Sequence, residues 1–231
     1  MATEEAADRA TRRRALLVGA TGLVGRALLA ELLEAATYER VVVLARSAAR
    51  ANAPARKLDW RVVDFDRLPE PLPTADDVYI ALGTTIAVAG SQAAFRRVDH
   101  DLVVAVARAA RASGAERLAV VSALGADAGS RVFYNRVKGE MELAVAALGY
   151  RTVVIARPAL LMGDRAVLGQ PERRGEVLAA RLLAPVMGLV PRVVRPIAAT
   201  TVARALVQAV QAAPPGVQRL ASAQMQAYAA R

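Results

Sequence analysis

A short apolar run leads into a loop with three glycines and then into a stretch with helical spacing. The run covers residues 14–18, the loop reads GATGLVG over 19–25, and apolar residues recur at helical spacing to about residue 36. This order predicts a buried strand, a tight turn and a helix. Glycine lets the backbone approach a pyrophosphate, whose charge then faces the N–H groups at the helix start. We therefore predict a dinucleotide site formed by Gly19, Thr21, Gly22, Leu23, Val24 and Gly25.

The same alternation of apolar runs and helical stretches continues to about residue 156. It predicts further strands at 41–44, 60–63, 78–82, 118–121 and 152–156, and helices at 92–112 and 132–148. Strands that alternate with helices through short loops are typical of a parallel sheet with helices on both faces. The sequence therefore predicts an α/β fold with a Rossmann-like, doubly wound parallel sheet. A length of 231 residues suits one domain over 1–231.

The pattern changes after Pro158. Within residues 165–196 there are six arginines against two glutamates, together with several prolines and glycines. We expect residues 159–198 to form a substrate lid within the single domain, with a helix near 176–183, and its arginines to favour an acidic substrate. A membrane-touching or partner-binding patch at 182–190 is the alternative. A helix at 199–212, then a short strand and helix, would complete a small C-terminal region.

Composition excludes several kinds of site. The chain has no cysteine and one histidine, His100, which excludes disulfides, thiolate catalysis, and Cys-ligated or multi-histidine metal sites. The net charge of +10 comes from arginines spread along the chain with few aromatics, which favours a solvated surface over nucleic-acid binding. Residues 1–14 lack the apolar stretch of a signal peptide, and no apolar run is long enough to span a bilayer. We therefore expect a soluble cytoplasmic protein that does not bind membranes, and leave oligomerisation open.

Two side chains four residues apart supply a candidate proton donor. Tyr134 and Lys138 lie one helical turn apart, so they share a helix face. Lys138 is one of only two lysines among many arginines, which suggests a site that needs a compact ammonium. An ammonium close to a phenol favours the phenolate and lowers the phenol pKa. We predict that Tyr134 acts as general acid and base, and that Lys138 tunes it and holds a nicotinamide ribose.

The ends of the predicted strands supply further candidates. The second strand ends at Ala45-Arg46-Ser47 with no carboxylate, and an arginine there accommodates the 2′-phosphate of NADP(H), whereas an acidic residue would favour NAD(H). Asp64, after the third strand, is either an acceptor for the adenine amino group or a loop-capping carboxylate. Ser122, after the fifth strand, could orient a substrate carbonyl beside Tyr134, although a serine that caps a strand end competes with this interpretation. Because ligands bind at carboxyl ends of strands, Leu82, Gly83, Thr84 and Pro158 are also predicted to contact the cofactor.

In combination these segments resemble the short-chain dehydrogenase/reductase superfamily, and more closely its atypical branch related to the animal Tat-interacting protein. The resemblance rests on GATGLVG (19–25), LGTT (82–85), FRRVDHDL (95–102), VSALGAD (121–127), YNRVKGEME (134–142) and RPALLMGDR (157–165). It implies an NADP(H)-binding Rossmann-like oxidoreductase in which Ser122, Tyr134 and Lys138 match the family triad.

The chain departs from the family pattern at two positions. Many extended members carry the active Ser or Thr one place later, where this chain has Ala123, and Asp99 stands where the superfamily commonly has an asparagine. A proton relay through Asp99 is therefore doubtful, and we interpret the adjacent His100 as structural or exposed.

Taken together, the sequence predicts an NADPH-dependent oxidoreductase that reduces a carbonyl or related group of a small molecule. Two alternatives stay open. The first is an NADP(H)-binding sensor or interaction protein without turnover, because fold does not fix function. The second is an epimerase, dehydratase or isomerase that uses the same triad.

Overall fold

A parallel β-sheet forms the centre of the molecule. The computed structural model describes residues 12–48, 56–162 and 195–229. In those ranges a seven-stranded sheet has the order β3-β2-β1-β4-β5-β6-β9, with every neighbouring pair parallel. The strands are β1 (Arg13–Val18), β2 (Tyr38–Ala45), β3 (Leu58–Val62), β4 (Asp77–Ile80), β5 (Arg117–Val121), β6 (Thr152–Arg157) and β9 (Gly216–Ala221).

Helices cover both faces of this sheet. The helices are α1 (Leu23–Glu34), α2 (Ile86–Ala89), α3 (Gln92–Arg96), α4 (Leu102–Ala112), α5 (Phe133–Ala146), α6 (Ala199–Ala212) and α7 (Ser222–Ala229), with a π-helical segment at Arg97–Asp101 between α3 and α4. One apolar cluster joins α1 and α6 to the sheet, and a second joins α4 and α5 to its other face. Side chains of one strand alternate between the clusters, as Leu16 and Leu17 of β1 do. The predicted doubly wound Rossmann-like fold is therefore confirmed.

The strand order reverses between β1 and β4. From β1 the chain proceeds to β2 and β3 on one side, and it then returns to β4 on the other side of β1. The last residue of β1, Val18, lies opposite Leu44 of β2 and Ile80 of β4, so the three strands end at one edge. A crevice forms at such a reversal, because the loops that follow the two central strands turn to opposite faces. In folds of this kind, ligands bind in this crevice.

Some element boundaries differ from the sequence-based prediction. The helix predicted at 92–112 is confirmed in its bounds, but it is not regular throughout, because the π-helical segment at Arg97–Asp101 lies between α3 and α4. The third strand occupies Leu58–Val62 rather than 60–63, and its side chains are exposed or partly buried, as expected at a sheet edge. Helix α6 confirms the predicted helix at 199–212, and β9 with α7 confirms the short strand and helix of the tail.

The predicted lid at 159–198 is described only at its two ends. Two-residue strands β7 (Leu161–Met162) and β8 (Ile197–Ala198) pair in parallel, so the ends of this segment lie side by side. The helix predicted near 176–183 and the apolar run at 182–190 lie outside the described residues. Across the described ranges, no helix combines the length and the apolar character needed to cross a membrane.

Candidate active site

The loop after β1 has no room for side chains at two of its glycines. Gly19 has a φ of +91°, which disfavours other residues, and a Cβ there would lie 2.5 Å from the Ala81 carbonyl oxygen. A Cβ on Gly25 would lie 1.9 Å from the Gly19 carbonyl oxygen. Gly22 is less crowded, since its Cβ would meet the same oxygen at 3.4 Å. The first and third glycines therefore form the turn and let helix α1 pack against it.

Helix α1 begins at this loop, and no side chain caps its first N–H groups. Its N-cap residue, Gly22, provides no side-chain cap, and the first turn contains no acidic residue. The first N–H groups of a helix have no partner within the helix, so an uncapped start offers donors and positive potential to an anion. Thr21 is exposed at the loop tip, and its carbonyl oxygen accepts a hydrogen bond from Arg26 Nε at 3.1 Å. These features fit the pyrophosphate of a dinucleotide.

The end of β2 carries an exposed arginine. Arg46 directly follows the last residue of β2, and no carboxylate occurs among residues 45–48. The neighbouring Ser47 is held by its backbone, because the indole Nε1 of Trp60 donates to the Ser47 carbonyl oxygen at 3.0 Å. Asp64 is exposed beyond β3, and its Oδ1 accepts the Asp66 N–H at 2.9 Å. Arg46 is therefore available to a ligand, whereas Asp64 at present caps its own loop.

The loop after β4 is attached to the π-helical segment through one carboxylate. Leu82 is partly buried and Gly83 is exposed, and the Thr84 backbone N–H donates to Asp99 Oδ2 at 2.8 Å. Asp99 is 1% exposed. Its other oxygen, Oδ1, lies 2.7 Å from Lys138 Nζ on helix α5. A single buried carboxylate therefore links a loop of the predicted cofactor cleft to the predicted catalytic lysine.

Tyr134 and Lys138 share one face of α5, as the sequence predicts. Lys138 is almost completely buried, and Tyr134 is partly buried with its ring 5.4 Å from that of Phe95, measured between centroids. Burial, and then the negative charge of Asp99, raise the pKa of Tyr134 to about 12. The expectation that Lys138 lowers this pKa is therefore wrong for this arrangement, because burial disfavours the phenolate and Asp99 adds a negative charge near the phenol.

Ser122 directly follows β5, but its hydroxyl is already engaged. Ser122 Oγ donates to Glu142 Oε1 at 2.6 Å, and both residues are buried. A hydroxyl has one proton to donate. It could donate to a substrate oxygen only after turning away from Glu142. The predicted role of Ser122 in orienting an acceptor is thus a prediction that requires this rotation.

The loops after β5 and β6 are fixed to each other and to α5. The buried Pro158 contributes its carbonyl oxygen, which accepts the Leu124 N–H at 2.9 Å. The Asp127 N–H donates to the Asn135 carbonyl oxygen at 3.0 Å. At Gly139 a Cβ would lie 2.1 Å from the Ala128 nitrogen, so only glycine lets this loop approach α5 so closely. Backbone contacts therefore fix these loops to the first turns of α5.

With this geometry established, comparison with known proteins decides the family. The model of a family described as NAD(P)H-binding matches residues 19–162. The chain belongs to this NAD(P)H-binding family. The matched range contains the glycine loop, Asp99, Ser122, Tyr134 and Lys138.

Similar individual proteins agree with this assignment. The chain is 41% identical to Protein FMP52, mitochondrial, of Eremothecium gossypii over 152 residues, which are 65% of this chain and 67% of that protein. It is 36% identical to Protein HTATIP2 of Rattus norvegicus over 169 residues, 71% of this chain and 68% of that protein. Among solved structures, MoeE5 in complex with UDP-glucose and NAD has a TM-score of 0.65 at 18% identity, over 90% of this chain and 76% of that one. The resemblance to the atypical branch of the short-chain superfamily is confirmed.

The same relatives correct the expected location. FMP52 proteins of Eremothecium gossypii, Aspergillus fumigatus and Aspergillus clavatus are all named as mitochondrial, so the prediction of a cytoplasmic protein is wrong. That prediction rested on the lack of an apolar signal segment. Such a test addresses secretion only, because mitochondrial transit peptides are amphipathic and rich in arginine rather than apolar.

The sequence analysis did not predict several residues that contact the site. Glu142 is 1% exposed, accepts the Ser122 hydroxyl and pairs with Arg157 Nη2 at 2.6 Å and Arg219 Nε at 3.2 Å. Its spacing of four residues from Lys138 places it on the same helix face, which is a signal that the sequence does contain. Arg219 lies far along the chain on β9, and no local pattern predicts its contact with Glu142.

Proposed function

We propose that the protein is an NADPH-dependent oxidoreductase of the short-chain type, which reduces a carbonyl or related group of a small molecule with Tyr134 as general acid. The observation that carries the proposal is the placement of Tyr134 and Lys138 on one face of α5, with Lys138 fixed by a buried carboxylate that also holds the loop at 82–85. This arrangement brings a proton donor and a fixed ammonium to the carboxyl edge of the sheet, where ligands of such folds bind.

The residues of the cleft fit a nicotinamide dinucleotide. The crowded turn at Gly19 and Gly25 and the uncapped start of α1 suit the pyrophosphate. Thr21, Leu23, Val24, Leu82, Gly83, Thr84 and Pro158 would line the rest of the cleft. An ammonium has three N–H donors, so Lys138 keeps two for a ribose while one faces Asp99. When bound, the reduced cofactor supplies the hydride.

Arg46 supports NADP(H) as the preferred cofactor. It is exposed at the end of β2, where a guanidinium can pair with a 2′-phosphate and no carboxylate competes for the ribose hydroxyls. We expect NADPH to bind at least about tenfold more tightly than NADH, as one charge-assisted contact provides. Arg46→Asp should remove or reverse this preference. Arg108→Asp, on the exposed face of α4, controls for a general change of charge, and equal affinities in the unmodified protein would contradict the assignment.

The chemical role of Tyr134 follows from what its phenol can do. Its proton would pass to the oxygen of the acceptor as hydride reaches the acceptor carbon, so that one C–H and one O–H bond form while the C=O π bond breaks. Lys138 would hold the ribose and Ser122 would orient the acceptor once its hydroxyl has turned from Glu142. The protein thus provides placement and a proton at a chosen atom.

Paired variants test this assignment. NADPH oxidation is followed with a panel of aldehydes, ketones and quinones. Tyr134→Phe should bind NADPH normally but lose turnover by a factor of about 100 or more. Lys138→Ala should weaken both binding and turnover. The controls are Tyr150→Phe, whose hydroxyl donates to the Ala107 carbonyl oxygen, and Lys57→Ala, the other lysine.

Each contrary result has a definite meaning. Full activity in Tyr134→Phe would remove Tyr134 as the acid. Tight NADPH binding without turnover of any compound would favour the sensor alternative. Product formation without net cofactor consumption would favour an epimerase or isomerase.

A further inference from the structure

Asp99 stands at an irregularity in the helix that crosses the site. The π-helical segment at Arg97–Asp101 inserts a wider turn between α3 and α4, and Asp99 is its buried member. Turns of this kind displace one residue from the regular helix face and are frequent at functional sites. Here the displaced side chain uses both oxygens, Oδ1 at 2.7 Å from Lys138 Nζ and Oδ2 at 2.8 Å from the Thr84 nitrogen.

The pair formed by Asp99 and Lys138 changes the electrostatics around Tyr134. An ammonium alone within about 4–6 Å of an ionisable group would favour the anionic phenolate. A carboxylate in contact with that ammonium cancels most of this effect, and burial disfavours the phenolate further. The raised pKa of Tyr134, with burial as its first cause and Asp99 as its second, agrees with this geometry.

Other charged side chains on the surrounding elements are paired elsewhere. On α3, α5 and the π-helical segment, the described partners are Arg96 with Glu140, Arg97 with Asp66, His100 with Asp101, Glu142 with Arg157, and Arg136 with the Ser130 carbonyl oxygen. Within the described part of the chain, Asp99 is the charge that raises the pKa of the phenol, and Lys138 is its ion-pair partner.

We propose that Asp99 sets the pH range over which Tyr134 exchanges its proton, because its ion pair with Lys138 removes a net positive charge that would otherwise favour the phenolate. The proposal rests on the proposed function and specifies what controls the proton donor of that site. Reduction of a carbonyl needs the protonated phenol, which gives its proton to the new alkoxide oxygen. Oxidation of an alcohol needs the phenolate, which must take the hydroxyl proton as hydride leaves the carbon for the oxidised cofactor. Asp99 is thus a positioning residue that acts through Lys138 and Tyr134.

The phenol can be titrated directly, without knowledge of the substrate. The protein is labelled with 13Cζ tyrosine, and the signal of Tyr134 is identified among five tyrosines by its loss in Tyr134→Phe. In the unmodified protein we expect Tyr134 to remain neutral at about pH 10, where free tyrosine is half ionised. In Asp99→Asn the ammonium is unopposed, and the pKa of Tyr134 should fall by about 1 or more.

An internal control reports whether the variant is folded. Tyr38 and Tyr79 are buried away from the site, where the Tyr38 hydroxyl donates to Asp77 Oδ2 at 2.7 Å and the two hydroxyl oxygens lie 2.7 Å apart. Their signals should be the same in Asp99→Asn as in the unmodified protein. If the variant does not fold, the titration of Tyr134 in the unmodified protein still tests the proposal. A Tyr134 pKa below about 10 would overturn it.

Turnover provides the second arm. NADPH-dependent reduction of a quinone or aldehyde probe and NADP+-dependent oxidation of the matching alcohol are measured against pH. Oxidation by the unmodified protein should rise throughout the alkaline range. In Asp99→Asn the pH at which oxidation rises and the pH at which reduction declines should both move down by about one unit or more.

The two arms separate this proposal from the proposed function. Turnover together with an unchanged Tyr134 pKa in Asp99→Asn would overturn the role of Asp99 and leave the oxidoreductase intact. Absence of turnover with every probe, together with the expected titration, would reject the oxidoreductase while supporting the hold of Asp99 on the phenol.

Discussion

Gly22 and Gly25 should have different roles: Gly22 is needed for ligand binding, whereas Gly25 is needed for the stability of the fold. In Gly25→Ala the new methyl group would meet the Gly19 carbonyl oxygen at 1.9 Å, and backbone atoms cannot give way as a flexible side chain can. Overpacking of this kind costs about 3 kcal/mol. For a chain of 231 residues this corresponds to a melting temperature lower by about 6–12 °C. In Gly22→Ala the closest contact is an ordinary 3.4 Å, so the stability loss should stay below about 1 kcal/mol.

The effect on NADPH affinity should be larger in Gly22→Ala, the variant whose stability changes less. The Gly22 methyl group would stand at the start of α1, where the backbone must approach a pyrophosphate. We expect NADPH affinity to fall about tenfold or more in Gly22→Ala. Thermal unfolding by circular dichroism and NADPH binding by calorimetry, measured on both variants, test the pair. Equal destabilisation by the two substitutions, or unchanged NADPH affinity in Gly22→Ala, would refute this division of roles.

Three further substitutions test contacts around and away from the site. Gly139→Ala should displace the loop after β5, because the methyl group would lie 2.1 Å from the Ala128 nitrogen, and both stability and turnover should fall. Glu142→Gln should lower the free energy of unfolding by about 1–3 kcal/mol through weaker pairing with Arg157, measured by denaturant titration. Asp77→Asn, at the amino-terminal edge of the sheet, should destabilise the protein but leave NADPH affinity unchanged, and a changed affinity would show that this edge communicates with the cleft.

The fold was predictable because it depends on patterns that are local in the chain. Buried parallel strands appear as short apolar runs, and the glycine loop between β1 and α1 marks a turn that other residues cannot adopt. The π-helical turn at Arg97–Asp101 was not predictable from the same pattern. The whole stretch at 92–112 has good helical spacing, and the π-helical turn brings a carboxylate to Lys138, which lies far along the chain.

The sequence predicted which residues form the candidate site, but it did not predict the charge interactions between them. Tyr134 and Lys138 share a helix face because of their spacing, and this the sequence contains. Whether the lysine acts on the phenol as a free charge depends on its partner, and that partner, Asp99, comes from another element. The same holds for Ser122, whose hydroxyl is committed to Glu142 by a contact across 20 positions of the chain. A sequence motif names the groups, whereas their protonation states depend on which other buried charges the fold brings to them.

The change from asparagine to aspartate at position 99 illustrates how one residue alters a site without altering its motif. A neutral amide at this place would leave the Lys138 ammonium as a net charge beside Tyr134, which suits a phenolate that accepts protons. A carboxylate removes that net charge, and because both side chains are buried, solvent and salt screen the pair little. The same Tyr134 and Lys138 spacing is therefore compatible with different pH ranges of proton transfer. In this chain the carboxylate of Asp99 favours the protonated phenol.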